Sequence, residues 1–149
     1  MSIIHSINGA LFIEKNAELL RIASQPGVQF IGGLKIGGNP KLNDLSGLSN
    51  IKSILYTASI YDNVSLTTLS AFSVGTDVDT VEVADNTMLQ DLQALGSLKT
   101  VKNTLTIYGN QLSSLTDLSS LSSVGGLQLG EQNIENLSGL ENLITIGKV

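Results

Sequence analysis

The chain has 149 residues and a formal net charge of −5, with 42% hydrophobic residues but only 4% aromatic and 14% charged. That length allows one continuous core, and three Phe, three Tyr and no Trp oblige aliphatic side chains to fill it. The absence of cysteine excludes disulfide frameworks and thiolate chemistry, and the lack of any basic cluster argues against a nucleic-acid partner.

Residues 1–10 read as the end of a preceding coil or an N-terminal cap, with Ile3 to Gly9 resembling the tail of an arc. Met1-Ser2-Ile3-Ile4-His5 has neither the basic start nor the apolar stretch of a signal peptide. No apolar run approaches the ~20 residues of a membrane span. From Leu11 onward a short pattern, Leu-x-Ile-x-x-Asn, recurs. Its apolar pairs are Leu11/Ile13, Leu34/Ile36, Ala58/Ile60, Val81/Val83, Leu105/Ile107 and Leu127/Leu129. Alternation over so few residues predicts short, half-buried strands.

Each pair leads to an amide: Asn16, Asn39, Asn63, Asn86, Asn110 and finally Gln132, at intervals of 23, 24, 23, 24 and 22 residues. After the amide, apolar residues recur every third position, as in Leu42, Leu45, Leu48, Ile51 and Ile54 or Leu112, Leu115, Leu118, Leu121 and Val124. That spacing suits a winding arc with corners, and the one stretch that suggests a short helical turn is Ala17 to Ala23. Glycines at 9, 32–33, 125–126 and 147 mark the returns. Two returns are irregular, Gln25-Pro26-Gly27 and the segment from Phe72 to Thr80, and both predict bulges or short excursions. At the other end Lys148-Val149 reads as the start of a further rung.

A constant period means stacked equivalent units. The expected fold is mainly β, a right-handed parallel β-helix or leucine-rich-repeat-like solenoid of about six coils of 22–24 residues. Residues 1–149 read as one solenoid domain, with six repeats over 11–149. The amide column has a physical reason: a buried carboxamide both donates and accepts, so stacked amides satisfy the turn backbone and one another. Asn63-Val-Ser65 and Asn136-Leu-Ser138 match glycosylation sequons, but Asn63 belongs to this inward ladder.

The text Ile31-Gly-Gly-Leu-Lys-Ile-Gly-Gly-Asn-Pro-Lys-Leu-Asn-Asp-Leu-Ser-Gly-Leu-Ser-Asn-Ile-Lys-Ser-Ile54, with Leu105-Thr-Ile-Tyr-Gly-Asn-Gln-Leu-Ser-Ser-Leu-Thr-Asp-Leu118, resembles the receptor L-domain family. The likeness runs over nearly the whole chain and is closest to the bacterial and fungal surface-protein type. It implies a leucine-rich β-helix module found outside the cell or on its surface. Two departures stand out. The last two units have Asn110-x-Leu112 and Gln132-x-Ile134 where earlier units have Asn-x-x-Leu, and the cysteine-rich modules of animal receptors have no counterpart here.

Outward positions form two columns: Phe12, Lys35, Ser59, Glu82, Thr106, Gln128, and beside it Glu14, Gly37, Tyr61, Ala84, Tyr108, Gly130. Phe12, Lys35, Tyr61, Glu82, Thr106, Tyr108 and Gln128 are the candidate binding residues, since tyrosine pairs a flat apolar face with a hydrogen-bonding tip. Asp77, Asp79, Glu82 and Asp85 fit no calcium-loop spacing and read as a solvated negative face, so no metal or cofactor is expected. His5 is the single histidine and has no nucleophile or metal partner in sequence, which excludes a Ser/His/Asp hydrolase. The expectation is a non-enzymatic recognition module binding a protein or a glycan. A structural or assembly segment with end-to-end self-association is the alternative, and a polysaccharide-degrading β-helix enzyme a further one.

Overall fold

A computed structural model of the chain describes residues 6–24 and 27–147. The readings placed on His5, on the first part of Ile3 to Gly9, on Gln25-Pro26 and on Lys148-Val149 lie outside the described residues. The strands are β1 (Ser6–Glu14), β2 (Phe30–Gly37), β3 (Ser53–Tyr61), β4 (Asp77–Val78), β5 (Thr80–Ala84), β6 (Thr100–Tyr108), β7 (Ser123–Gly130) and β8 (Thr145–Ile146). They form one parallel sheet in the order β1-β2-β3-β5-β6-β7-β8, with β4 paired to β6. The protein is a mainly β solenoid of about six turns with almost no helix.

Register follows the apolar pairs. Leu11, Leu34, Ala58, Val81, Leu105 and Leu127 are successive partners, as are Ile13, Ile36, Ile60, Val83, Ile107 and Leu129. The four inner copies of each are at most 2% exposed. Leu11, Ile13, Leu127 and Leu129, on the end rungs, are only partly covered. Opposite the sheet the arc packs its leucines inward: Leu42, Leu66, Leu89 and Leu112 are all fully buried, and so are Leu48, Leu69, Leu98 and Leu118.

Three of the arcs turn a corner on a single short helix. Short 3-10 helices at Ser46–Leu48, Gln93–Leu95 and Thr116–Leu118 start after a side chain that accepts a backbone N–H two residues on. Asp44 takes Ser46 N at 2.7 Å, Asp91 takes Gln93 N at 3.2 Å and Ser114 takes Thr116 N at 3.1 Å. The helical turn expected at Ala17 to Ala23 does not form. Leu19 N closes a single turn on Asn16 O at 3.2 Å, and Ile22 N then reaches Asp44 O on the next rung, also at 3.2 Å. Pairing to the neighbouring coil thus overrides local helix propensity.

The strand of every rung has two straight segments joined by a step, and the step alternates in length. It holds two residues on the odd rungs, Asn8-Gly9, Leu55-Tyr56 and Lys102-Asn103. It holds one on the even rungs, Gly32, Asp79 and Gly125. The structural unit is therefore a pair of coils, 47 residues from Asn16 to Asn63, from Asn39 to Asn86 and from Asn63 to Asn110. The irregular return between Phe72 and Thr80 carries this step to β4 and β5: Val74 bridges Ile54 N and Ala94 O, and Gly75 turns at φ +90°.

Before each amide the chain passes through a left-handed residue: Lys15 (φ 59°), Gly38 (64°), Asp62 (53°), Asp85 (55°), Gly109 (62°) and Glu131 (50°). Five of these six send their N–H to the next rung at 2.9–3.2 Å, which holds the turn against the stack. Only two are glycine, so the sequence conceals four copies of the position.

Candidate functional site

The inward face is occupied by the amide ladder. Asn39, Asn63 and Asn86 are fully buried and Asn110 is 7% exposed. Each Oδ1 accepts from the backbone N and the Nδ2 of the preceding rung: Asn16 on Asn39 at 3.0 and 3.1 Å, Asn39 on Asn63 at 3.3 and 3.1 Å. Asn63 follows on Asn86 at 3.1 and 3.2 Å, and Asn86 on Asn110 at 3.2 and 3.2 Å. Each Nδ2 also reaches a strand carbonyl of the preceding rung, for Asn39, Asn63, Asn86 and Asn110 those of Ile13, Ile36, Ile60 and Val83 at 2.8–3.0 Å.

Gln132 leaves this ladder. The unit from Asn110 to Leu112 is one residue shorter than its predecessors, so Leu112 N cannot fold back on Asn110 O as Leu89 N does on Asn86 O at 2.9 Å. The longer Gln132 side chain supplies Oε1 to Leu112 N at 3.4 Å instead. Asn16, on the first rung, is exposed. The buried ladder thus ends at Asn110, short of the sixth position.

The outward columns align as the sequence places them. Phe12, Lys35, Ser59, Glu82, Thr106 and Gln128 are partners rung by rung, and so are Glu14, Gly37, Tyr61, Ala84, Tyr108 and Gly130. Their exposure is less uniform than expected. Phe12 and Gln128 are open, Lys35, Tyr61, Glu82, Thr106 and Tyr108 are half-buried, and Ser59 is buried, donating to Glu82 Oε2 at 2.5 Å.

Tyr61 lies over Gly37, where an added Cβ would fall 2.3 Å from its ring, and its hydroxyl donates to Glu14 two rungs away. Lys35 sits between them, 3.0 Å from Glu14 Oε1 and 5.3 Å from the Tyr61 ring centre. The Tyr61 and Lys35 hydrogen bonds hold the Glu14 carboxyl below its ordinary value. The same carboxylate raises the Tyr61 hydroxyl and the Lys35 ammonium. Tyr108 faces the other way, over Gly130, with its hydroxyl on Glu131, which raises it as well. Both tyrosine tips are therefore committed within the protein.

The concave feature of this face lies beside the columns. An open groove of about 320 Å³ is floored by Gly32 and Gly33 and lined by Asn8, Phe12, Lys35 and Tyr56. It runs between two overhanging steps, Asn8-Gly9 on the first rung and Leu55-Tyr56 on the third. Phe12 is 65% exposed and Tyr56 57%, two large aromatic side chains open to solvent on one groove. Tyr56 and Phe30 add two exposed aromatic residues of the strands outside the two columns. The 24-residue interval between Asn39 and Asn63 carries one extra residue, which the structure places in the Leu55-Tyr56 step.

The acidic group disperses along the solenoid. Asp79 pairs with Lys102 at 2.7 Å, which raises the lysine. Asp77, lowered by hydrogen bonds from Thr76 and Thr100, accepts Thr76 Oγ1 at 2.7 Å. Glu82 bonds Ser59, and Asp85 packs beside Gly109 in its left-handed turn. Among the described residues no three His, Cys, Asp or Glu side chains gather as a metal site, and no helix is long and apolar enough to cross a membrane. Asn136 is exposed and accepts Ser138 N at 2.9 Å, whereas the Asn63 sequon is closed inside the ladder. Searches against protein families and curated proteins complete the description: no family model matches this chain, and no curated protein matches it in sequence.

Proposed function

We propose that this chain is a non-enzymatic recognition module of a secreted or cell-surface protein, of the receptor L-domain type, binding a protein or glycan on its sheet face. The observation that carries this reading is the glycine-floored groove between the steps of the first and third rungs, with Phe12 and Tyr56 exposed at its sides. Its volume suits one anchoring ring or side chain, the kind of contact that dominates binding energy when a larger ligand lies along a rigid surface. Lys35, Thr57 and Asn8 add polar atoms around it. The Tyr61 and Tyr108 rings flank the ligand path as apolar faces, their hydroxyls being engaged by Glu14 and Glu131.

The test is an immobilised glycan panel and a displayed peptide library probed with the full chain. Ligands found this way lose about tenfold or more in affinity with the Phe12→Ala/Tyr56→Ala variant. The fold is checked by circular dichroism. Unchanged affinity in that variant overturns the groove as the site. Turnover of a polysaccharide that Asp79→Asn and Asp85→Asn abolish overturns the non-enzymatic assignment.

A further inference from the structure

We infer that copies of this chain stack head to tail, the first rung of one seated on the sixth rung of the next. The amide ladder has a direction, since each rung donates to the Oδ1 of the following one. Among the described residues this leaves complementary groups at the two ends. The Asn16 Oδ1 accepts no bond at the first rung, and the backbone N of Gln132 donates none at the sixth. The strand edges match as well. Among the described residues, Ala10–Glu14 of β1 and Gly126–Gly130 of β7 are each paired on one side only. Continuing the register of the columns sets Leu11 on Leu127 and Ile13 on Leu129.

Charge is complementary along the same contact. At the first rung Glu14 is paired with Lys35 and Glu18 with Lys41, and among the described residues Lys15 and Arg21 form no salt bridge, acting on Glu14 and Asp44 only at longer range. The sixth coil exposes Glu131, Glu135 and Glu141 and has no described Lys or Arg. Lys15 and Glu131 occupy the same left-handed position of their turns, so stacking sets one directly against the other. Glu131 uses one carboxylate oxygen on Tyr108.

Apolar surface is open at both ends. Leu20 is 57% exposed at the first rung, and Leu137, Ile144 and Ile146 are 61%, 87% and 64% exposed at the sixth. The step alternation is in phase too: the sixth rung has the single Gly125, and the rung placed on it brings the two-residue step Asn8-Gly9. β8 already pairs with Ser123 and Val124, where Ser6 and Ile7 of the incoming copy would run, so the second strand segment and the arc carry the joint. A contact between two different faces does not close, and it builds an open chain of copies.

Sedimentation of the full chain over a range of concentrations tests this. The weight-average mass rises with concentration without a plateau. Lys15→Glu or Glu131→Lys alone weakens association about tenfold at low salt. An equimolar mixture of those two variants restores it, because each then meets an opposite charge, and so does the double variant Lys15→Glu/Glu131→Lys. Leu137→Lys, on a side chain 61% exposed, weakens it without rescue and gives a second reading. A single-chain mass at every concentration overturns the inference, as does association that neither reversal alters. Tyr56→Ala, on the third rung and away from both ends, lowers ligand affinity and leaves assembly unchanged, so failure of the ligand site and failure of stacking are read separately.

Discussion

The Asn63 side chain meets Asn39 N and Nδ2 with its oxygen, and Ile36 O, Tyr61 O and Asn86 Oδ1 with its nitrogen. Removing it strands several buried groups at once. Asn63→Ala therefore costs about 3 to 5 kcal/mol in denaturant unfolding, while the exposed Asn16→Ala costs under about 1 kcal/mol. On the outer face the Glu14–Lys35–Tyr61 cluster makes stability depend on pH. The Glu14 carboxyl is held below its ordinary value of 4.5, so it binds protons less readily folded than unfolded. Its contribution is present above pH 4.5 and is lost as the pH falls through the lowered value. Unfolding of the wild type and Glu14→Gln across that range shows the wild-type advantage shrinking in acid. Residue identities placed both columns and the ladder from Asn16 to Asn110, but not Gln132, whose side chain bonds Leu112 N and Gly130 O instead. They did not reveal that Ser59 is buried, because that depends on the Glu82 carboxylate of the next rung closing over it.

Strand steps govern the next scale. An added Cβ at Gly125 would lie 2.3 Å from Lys102 O and 2.4 Å from Asn103 O, backbone atoms of the two-residue step beneath it. At Gly9 it would meet nothing within 4 Å. Gly125→Ala is thus expected to cost about 1 to 3 kcal/mol, and Gly9→Ala to be neutral or to stabilise by up to about 1 kcal/mol. Thermal unfolding of the two variants separates them. The alternation of 23 and 24 residues was visible in the spacing of the amides, but its cause was not. One extra residue in a period gives no sign of whether it lengthens an arc, a turn or a strand. The helix suggested at Ala17 to Ala23 failed for a related reason: its preference is local, whereas Ile22 N is claimed by Asp44 O of another rung.

Across the whole molecule, six unequal coils act as one body because every rung is completed by the next. The aliphatic pairs, the left-handed turns and the amides all make their partners one period away, so the interior rungs are saturated, while among the described residues the first and sixth rungs are only partly covered. The candidate groove opens on the sheet face and the proposed stacking faces lie at the ends, with β1 contributing Asn8, Gly9, Ala10 and Phe12 to the groove and its outer edge to the joint. The period made this architecture visible from the sequence alone, whereas the groove depended on how two steps overhang a glycine floor. Coupling between rungs is measured most directly by a double-mutant cycle on Asn63→Ala and Asn86→Ala, whose side chains share a bond at 3.2 Å. The double variant is expected to lose about 1 to 2 kcal/mol less than the two single losses combined. Losses that add to within about 0.5 kcal/mol would contradict it, since independent amides would mean that the rungs do not complete one another.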